Sequence, residues 1–291
     1  QIVEQKNKIQ NKMDLHTIGK PIGKATAALF IIFGWQLLGI IIGAILVGLW
    51  SLFYEGINLQ HDIMGIGLLA GDILALWYFL KRKKIPIHWG NIKKDDQKST
   101  ILNVLIMGLG LIVIFSYLEE FLSLNMPPEL DDLFNVLSFR LDGILSICIF
   151  GPIVEELALR GVVLPNMLVI FKKPWLAIFV TAMLFGMIHM NIAQMIGAVL
   201  AGIILSWLAY QTGSLIPSIL LHILNNSIST LLQWIAPDVK LLSDIPYSVN
   251  LILLIAGIIL FSYGIKKLYS LFVHYDTLTQ CEPEKLEVKN G

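Results

Sequence analysis

Charged residues are scarce: they make up 14% of the 291 positions, where a soluble domain carries about 25%. With 56% hydrophobic residues and a mean hydropathy of +0.75, the chain cannot have water as its main solvent. Neither sign of charge is in excess, since Lys plus Arg and Asp plus Glu both number 21. No pull toward nucleic acid or another polyanion is expected. Cysteine is nearly absent. Cys148 falls in an apolar run and Cys281 in a polar one, which excludes a disulfide framework and a CxxC metal site. The chain contains no GxSxG elbow and no HExxH helix, so the usual serine-hydrolase and zincin signatures are missing. Repeats and low-complexity segments are missing too. The polar opening, Gln1–Lys24, leads into an apolar run too long for a signal peptide, so the first apolar segment is expected to stay in the membrane.

What the sequence has in abundance is long apolar runs. Stretches able to cross a hydrocarbon core of about 30 Å as helices lie at 26–50, 64–80, 101–124, 141–165, 174–190, 192–210, 214–232 and 248–265. The expected fold is therefore all-α: a polytopic transmembrane bundle of about eight spans with a polar catalytic cavity inside the membrane. Basic residues gather in cytoplasmic loops. Here they cluster at Lys6 to Lys24, at Lys81-Arg82-Lys83-Lys84 with Lys93 and Lys94, at Lys172-Lys173 and at Lys266-Lys267. Eight spans put all four clusters on one side and leave the acidic loop near Glu129, Asp131 and Asp132 on the other. A multi-pass protein of the cell membrane with both termini cytoplasmic is expected. Its parts are an N-terminal cytoplasmic segment (1–25), one membrane domain (26–271) and a polar, flexible tail (272–291).

An ionisable residue at mid-bilayer costs about 2.5–3.5 kcal/mol on insertion scales, which makes each one a functional candidate. Glu155, Glu156 and Arg160 stand in one apolar run, Phe185 and His189 in the next, and His222 and Asn226 in a third, with Asp72 alone in the second span. Residues four apart share a helix face, so Arg160 is set to pair with Glu156 and Asn226 lies under His222. The Glu156–Arg160 pair suits helix packing, and each histidine alone suits interhelical hydrogen bonding. The whole set exceeds what packing needs. Gly151-Pro152 predicts a helix break just before the glutamates. Asp72 is read as an isolated packing or supporting residue. Counting about 1.5 Å per residue puts His222 about 10 Å and His189 about 22 Å from the cytoplasmic side, so the fifth span starts later or is tilted.

Glu155, whose neighbour already has a partner, and His189 can together draw a proton from water. His222 and Asn226 can donate hydrogen bonds to a developing oxyanion. The candidate catalytic residues are thus Glu155, Glu156, His189, His222 and Asn226, supported by Arg160 and Phe185. No cofactor is expected. The alternative is zinc held by Glu155, His189 and His222, a legitimate three-ligand set with water in the fourth position.

These residues resemble the CPBP membrane proteases, which include CAAX-prenyl proteases and bacteriocin-processing or immunity proteins. The family motifs EExxxR, FxxxH and HxxxN stand here as Glu155-Glu156 with Arg160, Phe185 with His189, and His222 with Asn226, in order. The lead-in Thr212-Gly213-Ser214-Leu215-Ile216-Pro217 to His222 also resembles bacterial members, and the likeness spans about Asp142 to Leu232. Ala158-Leu159 departs from the bulkier, often aromatic residue that many members place before the arginine, which bears on pocket shape and substrate. The resemblance implies an intramembrane endopeptidase that forms no acyl-enzyme. The first-motif Glu and second-motif His would activate water, and the third-motif His and Asn would stabilise the oxyanion. Its partners would be the bilayer and a peptide or lipidated protein substrate. The competing readings are a non-catalytic scaffold or bacteriocin-immunity protein and, in a third class, a transporter using the buried Glu, Arg and His as a proton relay.

Overall fold

A computed structural model describes residues 2–55, 58–122, 125–235 and 245–281, with side chains from 18 to 272. Among these residues every regular element is helical. The order is α1 (Ile2–Trp50), α2 (Leu59–Trp77), α3 (Lys94–Phe121), α4 (Pro128–Ser138), α5 (Leu141–Ile144), α6 (Gly151–Ala158), α7 (Leu164–Phe171), α8 (Pro174–Met187), α9 (Ile192–Thr212), α10 (Ile216–Ile235) and α11 (Tyr247–Cys281). Among the described residues five segments are long and apolar enough to cross a membrane: Ile18–Trp50, Leu59–Arg82, Lys94–Phe121, Ile192–Thr212 and Tyr247–Phe272. The other three runs expected to span are helical but different in kind. Residues 141–165 lie in a chain of short helices joined by π-turns, the run at 174–190 is the 14-residue α8, and the run at 214–232 is the more polar α10. The bundle itself is as expected. The polar tail read at 272–291 begins as helix, because α11 continues to Cys281; its last ten residues lie outside those described.

The helices form two compact units. The first takes the described residues up to Pro86 and Met126–Ser206. Its foundation is α1 against α2, where Gly39 and Gly43 face Gly67 and Gly71. A Cβ on Gly67 would lie 2.8 Å from the Ile40 Cα, and one on Gly43 would lie 2.6 Å from the Ile63 carbonyl oxygen. Glycine is needed here because the backbones approach to where no side chain fits, the usual device when lipid supplies no hydrophobic drive to association. Gly67→Val should therefore cost about 1–3 kcal/mol from overpacking, read as a lower thermal midpoint in detergent. An unchanged midpoint would mean that the two helices do not pack at this distance. Near the α4–α5 corner Arg140 makes a two-pronged contact with Asp142, at 3.0 and 2.8 Å, and a second contact with Asp62. The hydrogen bonds to Asp142 hold its guanidinium above its ordinary pKa, against the opposing effect of burial.

The second unit holds Ile87–Asn125 and the described residues from Trp207 onward. Gly110 and Gly264 of α3 and α11 make another close approach: a Cβ on Gly264 would sit 2.6 Å from the Met107 Cβ. Gly108 does the same for α10, since its Cβ would meet Leu224 and Leu221 at 2.6 and 2.7 Å. The turn entering α10 explains its Thr-Gly-Ser sequence. Gly213 has φ +60°, the left-handed region glycine favours. Ser214 accepts from the Ile216 N–H at 3.1 Å as a helix N-cap and donates to the His88 carbonyl at 2.6 Å.

Candidate active site

The expected break at Gly151-Pro152 is absent. Residues 145–150 form a π-turn that runs straight into α6, with the Gly151 N–H bonded five residues back to Ser146. Proline ordinarily breaks a helix because its ring strikes the carbonyl four residues earlier and its nitrogen has no hydrogen to donate. A turn widened by one residue shifts that carbonyl and lets the helix continue. The device recurs after the acidic pair. Residues 159–163 form a second π-turn, closed by the Leu164 N–H on Leu159, and Pro165 follows at once. Such turns inside α-helices are frequent at functional sites. Glu155 and Glu156 therefore stand on α-helical backbone bracketed by two π-turns, and Arg160 stands inside the second.

The two glutamates have different surroundings. Glu156 is fully buried, and its Oε1 accepts from Arg160 Nη1 at 2.7 Å, as the i,i+4 spacing predicts. Arg160 is 2% exposed. It also donates to Ser206 Oγ and to the Gly202 carbonyl of α9, both at 3.2 Å, and its guanidinium lies 4.6 Å from the Phe185 ring centroid. One arginine thus ties α6 to α8 and α9. Glu155 is half-buried, on the neighbouring face of the same helix, and its charge acts on both Asp72 and Arg160.

Phe185 and His189 show what the FxxxH spacing accomplishes. His189 is just past the end of α8, with its Nδ1 2.9 Å from the Phe185 carbonyl oxygen and its ring edge-on to the Phe185 ring at 5.1 Å. A carbonyl only accepts, so Nδ1 carries a hydrogen, and in the neutral ring the lone pair is then on Nε2. α8 begins at Pro174, so the fifth helix does not start later than expected. Instead it stops early, and His189 sits in a turn. Asn191 holds that turn. Its Oδ1 accepts from the Gln194 N–H at 2.9 Å, and its Nδ2 donates to Gln194 Oε1 at 2.6 Å and to the His189 carbonyl at 3.2 Å. The Asn-x-x-Gln pattern of a capped helix start was available in the sequence and marks this boundary.

His222 and Asn226 belong to the second unit. They are one turn apart on α10, His222 buried and Asn226 half-buried. Asn225 Nδ2 donates to Asn226 Oδ1 at 3.2 Å, which assigns Nδ2 as the donor end of the Asn226 amide. Asp72 is not isolated. It is 2% exposed and accepts from Gln36 Nε2 and Ser146 Oγ. A cleft of about 530 Å³ in the first unit is lined by Asn58, His61, Asn135, Val136, Phe139 and Arg140, and takes in none of the predicted site residues. Among the described residues no three of His, Cys, Asp and Glu are grouped so as to hold a metal ion.

A comparison with known protein families covers the stretch that carries these residues. Residues 138–228 match the Rce1-like family model, described as type II CAAX prenyl endopeptidase Rce1-like. The match covers less than half of the chain and contains all three motifs, from Glu155 to Asn226. It supports the CPBP resemblance and a CAAX-type membrane protease family for this Rce1-like domain. No curated protein and no solved structure matches the chain.

Proposed function

We propose that the chain is an intramembrane endopeptidase that cleaves peptide bonds of membrane-associated, lipidated or peptide substrates with water activated by Glu155 and His189. The observation that carries this reading is the division of labour around α6. Arg160 engages Glu156, while the Phe185 carbonyl holds His189 through Nδ1, so that in the neutral ring Nε2 is the basic nitrogen. In the proposed reaction Glu155 and His189 take a proton from water as its oxygen attacks the substrate carbonyl. His222 and Asn226 donate to the resulting oxyanion. Collapse of the tetrahedral species breaks the C–N bond, and the stored proton passes to the leaving amine. The scheme uses protein groups alone.

The name of the matched family points to the substrate class, a peptide with a prenylated cysteine fourth from its C-terminus. Purified chain in liposomes, given such a farnesylated peptide and its unprenylated counterpart, is expected to release the terminal tripeptide from the farnesylated one. Failure to cleave either peptide, in folded protein, would favour the scaffold reading. Asn226→Ala should lower turnover by about 10²–10³-fold, the effect of removing one oxyanion donor, with KM nearly unchanged. A rise in KM alone would assign Asn226 to binding. The proposed orientation places both termini and the loop near Lys93 in the cytoplasm of a cell-membrane protein. Reporter tags at the three positions should all register cytoplasm, and one external tag would overturn that topology.

A further inference from the structure

Asp72 is a buried acid, 2% exposed, that the proposed reaction leaves without a role. Its carboxylate accepts from Gln36 of α1 and from Ser146 inside the first π-turn, so a single side chain of α2 joins α1 to the segment that launches α6. Ser146 is itself buried, and its carbonyl receives the Gly151 N–H that closes the π-turn. The hydroxyl and the carbonyl of Ser146 therefore both hold the start of α6. Gly151 and Glu155 are four apart and share a face of that helix. A Cβ on Gly151 would lie 2.8 Å from the Ser146 carbonyl oxygen and 3.7 Å from Asp72 Oδ2. The missing side chain of Gly151 is thus what lets the Ser146 carbonyl come this close, while the Asp72 carboxylate lies at ordinary contact distance beside the same face.

We propose that Asp72 is a positioning residue for Glu155: through Ser146 and Gln36 it fixes the π-turn at Leu145–Phe150 and thereby the aim of the first catalytic carboxylate. This inference rests on the endopeptidase reading given above. A group displaced by about 1 Å loses on the order of 10²-fold in rate, so the clamp acts on kcat and leaves KM alone.

The test compares wild type, Asp72→Ala, Asp72→Asn and Ser146→Ala in liposomes. Cleavage of the farnesylated peptide is measured together with hydrogen exchange of the peptides covering Leu145–Ala158. Asp72→Ala and Ser146→Ala should each lower kcat by about 10²-fold with KM within about twofold, and speed exchange in Leu145–Ala158 while α9 and α10 stay as protected as in wild type. Asp72→Asn, which keeps the shape and one acceptor, should restore both readouts to within about threefold of wild type. If Asp72→Ala does not fold, the milder Ser146→Ala decides. Full activity and unchanged exchange in Ser146→Ala would overturn the proposal, as would an Asp72→Asn variant as inactive as Asp72→Ala. If wild type cleaves nothing, the endopeptidase reading fails, and exchange alone decides whether Asp72 orders the segment that carries Glu155.

Discussion

Glu155→Gln is expected to lower turnover of the farnesylated peptide by about 10²–10⁴-fold while substrate binding survives. Glutamine matches glutamate in shape and still forms hydrogen bonds, but it has no basic lone pair to take a proton from water. Glu155 suits this role because it is only half-buried, beside a fully buried neighbour whose carboxylate is held by Arg160. His189→Ala should give a loss of similar size, and the double variant should be little worse than either single one, since two groups that share one proton transfer act as a unit. Losses that multiply would assign the two residues to separate steps. Strong chelation should leave wild-type activity intact. Stoichiometric zinc, lost with activity and restored with it, would replace the metal-free mechanism with a metal-centred one.

Arg160→Ala should have the larger effect on the amount of folded protein. Removing one partner of a buried ion pair costs about 3–5 kcal/mol because the other charge stays behind, and Arg160 also ends on Ser206, the Gly202 carbonyl and the Phe185 ring. Three helices lose their common tie at once. Replacing both partners with apolar side chains of similar volume is often neutral. The double variant Glu156→Leu with Arg160→Met should therefore recover much of the folded protein that Arg160→Ala loses, measured by size-exclusion recovery in detergent. Turnover by that double variant then decides the role of Glu156. Activity well above that of Glu155→Gln means that Glu156 is structural. A folded but inactive double variant means that its carboxylate takes part in the chemistry.

The long apolar helices were legible because a chain with so little charge has few ways to satisfy its backbone in lipid other than helix. The Glu156–Arg160 pair was legible from i,i+4 spacing alone, and the three motifs from their order on successive apolar runs. The Gly151-Pro152 junction misled because composition cannot distinguish a broken helix from one widened by a single residue; only the Gly151 bond to Ser146 does so. Asp72 looked isolated because both of its partners are distant in sequence, Ser146 by 74 positions and Gln36 by 36. His189 was expected within a span, yet Asn191 and Gln194 already marked a helix start two residues later.

The π-turns have a consequence for how the chain tolerates changes in length. A π-turn accommodates one residue more than the α-turn it replaces, whereas one residue lost from an ordinary helix turns everything beyond it by about 100°. Within residues 151–154 such a deletion would carry Glu156 toward the direction Glu155 now faces and bring an arginine-bound acid to the place of the proposed base. Within Leu145–Phe150 or Leu159–Val163 the same deletion can be absorbed by tightening the turn, leaving the faces downstream where they were. The two wide turns thus work as verniers, one setting the rotation of the acidic pair and the other that of the helix beyond Arg160, each adjustable without redesign of the segment between them.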